Sequence, residues 1–136
     1  MSIAGKPLLG VSVLIVDDDD DTRDLFGLAL EDAGADVRTA SDAEDAMRIV
    51  HEWRPCIVVS DLSMPRMDGA TLLRKIRSVD ALRNIPAVAV SGYSGESDQA
   101  NALAAGFQAH APKPLAPDDL VALVKRWAAP PVTGER

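Results

Sequence analysis

An α/β fold, with a doubly wound parallel sheet covered by helices on both faces, is predicted by three features of this 136-residue sequence. Short apolar runs rich in β-branched residues alternate five times with longer segments of helical character. The clearest runs end in carboxylates: Val13-Leu14-Ile15-Val16 feeds into Asp17-Asp18-Asp19-Asp20-Asp21, and Ile57-Val58-Val59-Ser60 into Asp61. Gly34 and Gly106 stand where helices should stop. Continuous apolar runs suit strands buried on both faces, because crossover helices cover a parallel sheet above and below.

The first strand is predicted over residues 11–16 and the first helix over 21–33. Asp20 or Asp21 is expected to cap that helix, and the neighbouring carboxylates suit the positive end of its dipole. Residues 37–40 read as a short second strand. Ser41-Asp42-Ala43-Glu44 has the spacing of a capping box and opens the second helix, which ends before Pro55. The third strand covers 56–60 and ends at Asp61; a loop containing Pro65 and Gly69 leads to a helix over 70–78. A fourth strand at 86–90, a loop at 91–95 and a fourth helix to Ala105 follow. The fifth strand, 108–111, is short and meets Pro112, which suits a sheet edge. The last helix spans 117–127. One domain is expected over 11–128, with residues 1–10 an N-terminal extension and 129–136 a flexible tail containing two prolines.

Composition excludes several function classes. The net charge of -7 opposes direct binding of nucleic acid or an acidic membrane surface. No apolar stretch approaches the ~18 residues of a membrane helix, and no basic-then-apolar secretory segment opens the chain. With Cys56 the single cysteine, no internal disulfide is possible and a reducing cytoplasm is expected. Cys56 begins an apolar run and reads as a buried structural thiol.

Strand ends in a parallel sheet point the same way, so Asp17, Asp18, Asp61, Ser91 and Lys113 should converge on one rim. Adjacent carboxylates repel by about 3 kcal/mol per pair at about 5 Å and an effective dielectric near 20. Helix capping accounts for one or two of the five consecutive aspartates, not for Asp17 and Asp18 at the strand's end. A cation among them relieves the repulsion, and an all-oxygen donor set suits Mg²⁺. Three carboxylates, a hydroxyl and an ammonium form a coherent phosphoryl-transfer site. Cations neutralise the phosphoryl oxygens, the hydroxyl donates a hydrogen bond and one carboxylate is the nucleophile.

The ordered set Val16-Asp17-Asp18, Asp61-x-x-Met64-Pro65-x-Met67-Asp68-Gly69, Ser91 and Lys113-Pro114 resembles the receiver domain of bacterial response regulators, the CheY-like family. The resemblance covers about residues 11–127. It implies a flavodoxin-like (βα)5 fold with strand order 2-1-3-4-5. It also implies that Asp61 is the phosphoacceptor and that Mg²⁺ is held by Asp17, Asp18, Asp61 and the Ser63 backbone carbonyl. Ser91 would contact the phosphoryl group, Lys113 would pair with Asp61 and then with the phosphate, and Lys113-Pro114 would be cis. The implied partner is a sensor histidine kinase or histidine phosphotransfer protein. Output would pass through the face made by the fourth helix, fifth strand and fifth helix, driven by motion of the 91–95 loop. Such a protein is a switch that catalyses only its own phosphorylation and dephosphorylation, not a conventional enzyme.

Two residues individualise this receiver-like pattern. His110 stands where the family usually places a rotating Tyr or Phe, and Tyr93 falls where a side chain covers the phosphoryl group. The best enzyme rival is a haloacid-dehalogenase-type phosphatase, whose opening motif Asp18-x-Asp20-x-Thr22 matches. Ser91, Lys113 and Asp118-Asp119 follow in the right order, but Asp118-Asp119 opens a helix and no room remains for substrate-selecting cap segments.

Overall fold

The computed structural model describes residues 6–92 and 96–130. Strands β1 (Ser12–Val16), β2 (Asp36–Ala40), β3 (Ile57–Asp61), β4 (Ala87–Ser91) and β5 (Ala109–Pro112) form one parallel sheet in the order β2-β1-β3-β4-β5. Between and after them run α1 (Asp20–Asp32), α2 (Ala43–Trp53), α3 (Gly69–Ser78), α4 (Glu96–Ala105) and α5 (Pro117–Trp127). This is the predicted flavodoxin-like topology. Its proline-bearing fifth strand lies at an edge, where Pro112 costs the ladder least.

Side chains alternate across each strand, so one sheet feeds two cores. Val13, Ile15, Ile57, Val59, Val88 and Val90 pack with Phe26 and Leu30 of α1 and Leu120 and Val124 of α5. Leu14, Val16, Val58, Ala87 and Ala89 pack on the other face with residues of α2, α3 and α4, among them Ile49, Val50, Leu72, Ile76 and Ala102. Each large side chain buried this way contributes about 1.5–3 kcal/mol. The central strands β1, β3 and β4 are thereby fixed in register, and with them every residue at their carboxyl ends.

The helix starts differ from the sequence expectation in a consistent way. Asp19, not Asp20 or Asp21, caps α1, its Oδ2 accepting from the Thr22 backbone N–H at 3.0 Å. Asp42, not Ser41, caps α2 by accepting from Asp45 N–H at 2.8 Å. In both cases several good capping residues stand in a row, and the end of the preceding strand decides which one is used. Asp68 caps α3 on Thr71 N–H at 2.8 Å. Gly34 and Gly106 adopt φ of 102° and 111°, the left-handed conformation that ends α1 and α4.

Packing extends beyond β1 towards the amino terminus. Leu8 is fully buried, and its N–H bonds to Ala33 O at the end of α1 at 2.9 Å. At the other end, Ala129 N–H bonds to Cys56 O at 3.0 Å, over a thiol that is buried as expected. Most of the expected extension and tail, residues 1–5 and 131–136, lies outside the described residues. A short 3₁₀ turn at Asp80–Leu82, not anticipated, tucks Leu82 beneath the sheet's second core. Among the described residues no helix is long and apolar enough to cross a membrane.

Candidate functional site

The carboxyl ends of β1, β3 and β5 bring Asp17, Asp18, Asp61 and Lys113 together. Asp17 follows the last residue of β1 and continues its pairing with β2, donating N–H to Ala40 O at 3.1 Å. Its carboxylate is almost wholly buried, 2% exposed. Oδ1 accepts from Asp19 N–H at 2.9 Å, and Oδ2 accepts from Lys113 Nζ at 2.9 Å. Asp61, the last residue of β3, is also buried; its Oδ1 accepts from Ser63 N–H at 3.2 Å and its Oδ2 lies 3.6 Å from Lys113 Nζ. Asp18 is the exposed member of the group. Ser91 ends β4 fully buried, and its carbonyl accepts from Lys113 N–H at 2.7 Å, which anchors the backbone that presents the ammonium. The Lys113-Pro114 peptide is cis, as expected.

The loop after β3 is closed by Gly69 N–H on Leu62 O at 3.0 Å. A Cβ at Gly69 would stand 2.2 Å from the Asp61 carbonyl oxygen, so only glycine lets the start of α3 approach the strand this closely. That closeness holds Ser63 beside Asp61.

The electrostatics show a site short of positive charge. Burial, and then the Asp17 charge, raise the Asp61 carboxyl above its ordinary range, against the opposing pull of Lys113. Burial works against the Lys113 ammonium, but its hydrogen bond to Asp17 and the charges of Asp17 and Asp61 outweigh that and hold it above its usual value. Asp19 moves the other way: the Thr22 hydroxyl and backbone N–H stabilise its charged form, as befits a cap. Asp17, Asp18 and Asp61 each offer one carboxylate oxygen, all within 4.8 Å of one another. Three hard oxygen donors around one strained, buried carboxyl fit a small divalent cation of the Mg²⁺ class.

His110 lies on β5 opposite Ala89, on the face that packs against α2, α3 and α4. Both of its ring nitrogens are buried, with no hydrogen-bond partner among the described residues. Tyr93 lies outside the described residues, as does most of the 91–95 loop. The phosphatase constellation does not assemble: Asp118 and Asp119 sit exposed in the first turn of α5, outside the acidic group, and Asp20 is turned to an ion pair with Arg23. Arg23 itself was not foreseen. Its guanidinium reaches back from α1 to donate to Asp17 O at 2.8 Å. The one available signal was a cation in the first turn of a helix, where the dipole disfavours it.

A family model for the response regulator receiver domain matches residues 13–125. The chain belongs to that family. Receivers of this kind are the switch domains of two-component signalling, phosphorylated on an aspartate with Mg²⁺. A 14.6 kDa protein encoded in the sodA1 3′ region of Leptolyngbya boryana is 40% identical over 128 residues, covering 93% of this chain and 98% of that one. The transcriptional regulatory protein PrrA of Mycobacterium leprae is 35% identical over 113 residues, 83% of this chain and 48% of that protein. The chain therefore spans about half the length of the transcriptional regulator it matches. Among solved structures, the chemotaxis protein CheY4 of Vibrio cholerae superimposes with a TM-score of 0.82 at 27% identity, over 85% of this receiver and 97% of that chain.

Proposed function

We propose that Asp61 of this receiver accepts a phosphoryl group from the phosphohistidine of a sensor kinase or phosphotransfer protein, in a reducing cytoplasm, and thereby switches partner binding. The observation that carries the reading is Lys113 Nζ, shared between Asp17 Oδ2 at 2.9 Å and Asp61 Oδ2 at 3.6 Å beside three converging carboxylates. Asp17, Asp18, Asp61 and the Ser63 carbonyl would hold Mg²⁺. Bound there, the metal supplies positive charge for the phosphoryl oxygens.

The remaining roles belong to the chain's own groups. An Asp61 carboxylate oxygen attacks phosphorus in line as the phosphorus–nitrogen bond to the donor imidazole breaks. Lys113 then exchanges its contact with the Asp61 carboxylate for one with a phosphoryl oxygen. The Ser91 hydroxyl donates a hydrogen bond to the same group, and Tyr93 shields the acyl phosphate from water. The domain supplies geometry and charge for its own modification and for its hydrolysis, without turning over an external substrate. The added charge acts only by favouring one of two states of a bistable element. That element is the 91–95 loop, coupled through His110 to an output face formed by α4, β5 and α5.

The test is incorporation of label from acetyl phosphate into the full chain. Incorporation should require Mg²⁺, be labile to hydroxylamine and vanish in Asp61→Asn. Equal labelling in Asp61→Asn, or labelling indifferent to Mg²⁺, would overturn the assignment.

A further inference from the structure

We infer that Arg23 is a positioning residue for the metal site, holding the Asp17 carbonyl so that the Asp17 and Asp18 carboxylates are aimed together at Asp61. The inference rests on the Mg²⁺ reading above. Arg23 occupies the first turn of α1, where the helix dipole disfavours a cation, yet its side chain is only 16% exposed. A side chain this enclosed takes its direction from the acceptors that its guanidinium reaches. One is Asp20 Oδ1, but Asp20 is 82% exposed, and a pair in water is worth little. The other is the carbonyl of Asp17, at 2.8 Å and partly buried.

That carbonyl is a strategic atom. The Asp17 N–H is spent on Ala40 O, and its carboxylate is held by Asp19 N–H and Lys113 Nζ. The Asp17 carbonyl belongs to the peptide joining Asp17 to Asp18, just past the end of β1. Because a peptide is planar, fixing its oxygen fixes the direction in which the chain leaves for Asp18. Arg23 therefore restrains the rotation that would otherwise swing the exposed Asp18 carboxylate away from Asp17 and Asp61. Lys113 acts on carboxylate oxygens, whereas Arg23 acts on the backbone between two of the donors. The two cations have separable roles: one offsets charge and the other sets aim.

Residues that hydrogen-bond to a metal's ligands typically change affinity by about 10–100-fold when removed. The experiment is Mg²⁺ titration by isothermal calorimetry of the full chain, wild type against Arg23→Gln and Arg23→Lys, with thermal melts alongside. Positioning predicts Mg²⁺ binding weakened about tenfold or more in Arg23→Gln. Arg23→Lys, which keeps the charge but lacks the fork that engages Asp17 and Asp20 together, should fall between that and wild type. If Arg23 acted only through its charge, Arg23→Gln would bind Mg²⁺ more tightly than wild type, and the inference fails. Lower melting temperatures with unchanged Mg²⁺ affinity in both variants would also overturn it, leaving Arg23 a merely structural residue. If Arg23→Gln does not fold, Arg23→Lys decides between the same outcomes. Absence of Mg²⁺ binding in the wild type is a different result: it removes the metal reading itself, and this inference with it.

Discussion

Asp61 carries a charge that the metal-free fold resists. It is buried at a strand end beside Asp17, and its proton is held more tightly in the folded chain than in the unfolded one. A carboxyl raised on folding makes stability fall as pH rises from the ordinary value of 3.8 through the folded value. Removing the charge should therefore stabilise. With EDTA present at neutral pH, Asp61→Asn is expected to melt above wild type, and the difference should close as pH falls below 3.8. Thermal melts across pH check this, and a lower melting temperature for Asp61→Asn at neutral pH would contradict it. The convergence of Asp17, Asp18, Asp61 and Lys113 was legible because each stands at or just past the end of a strand, and parallel strands deliver their ends to one rim. Arg23 and Arg77 were not legible, because a cation on a helix reads as a solvated side chain. Here both bind carbonyls: Arg23 takes Asp17 O, and Arg77 takes Ile85 O and Gly106 O at 2.6 and 2.9 Å.

At the scale of elements, the approach of α3 to β3 sets the geometry of the loop that follows Asp61. A methyl group at Gly69 meets the Asp61 carbonyl at 2.2 Å, and backbone on both sides leaves nothing flexible to yield. Gly69→Ala should cost about 3 kcal/mol or more and, by displacing the loop that carries Ser63, weaken Mg²⁺ binding in parallel. Thermal melts and a Mg²⁺ titration measure the two effects; a variant with wild-type melting temperature would show that the loop has slack. Pro65 and Gly69 announced a loop here, but neither the Asp68 cap nor the close approach at Gly69 was legible. Helix starts were less legible where acceptable caps adjoin. Asp19, Asp20 and Asp21 are chemically equal as caps, and only the end of β1 distinguishes them.

Across the whole molecule, one sheet separates two cores: α1 and α5 on one side, α2, α3 and α4 on the other. His110 belongs to the second face, opposite Ala89 and two rungs from Pro112, with both ring nitrogens buried and without a partner among the described residues. An unsatisfied buried polar group costs about 1–3 kcal/mol, so His110→Phe should raise stability by about 1 kcal/mol. The coupling role proposed for His110 is tested by truncating its side chain. His110→Ala should accordingly leave phosphorylation of Asp61 intact while narrowing the difference in partner affinity between the two phosphoforms. Chemical denaturation tests the first expectation, and a binding comparison of phosphorylated and unphosphorylated protein tests the second. Unchanged discrimination in His110→Ala would remove His110 from the switch. The order of strands was legible through the family resemblance and through Pro112, which marks an edge. The packing of Leu8 beneath α1 was not, because one leucine between two turns has no period to read.

The most direct measurement is peptide mass mapping of the full chain after exposure to acetyl phosphate and Mg²⁺, with and without hydroxylamine. A single added phosphoryl group, labile to hydroxylamine and confined to the peptide containing Asp61, is the predicted result. A phosphoryl group on the peptide containing Asp18 would contradict the assignment and restore the phosphatase reading in its place.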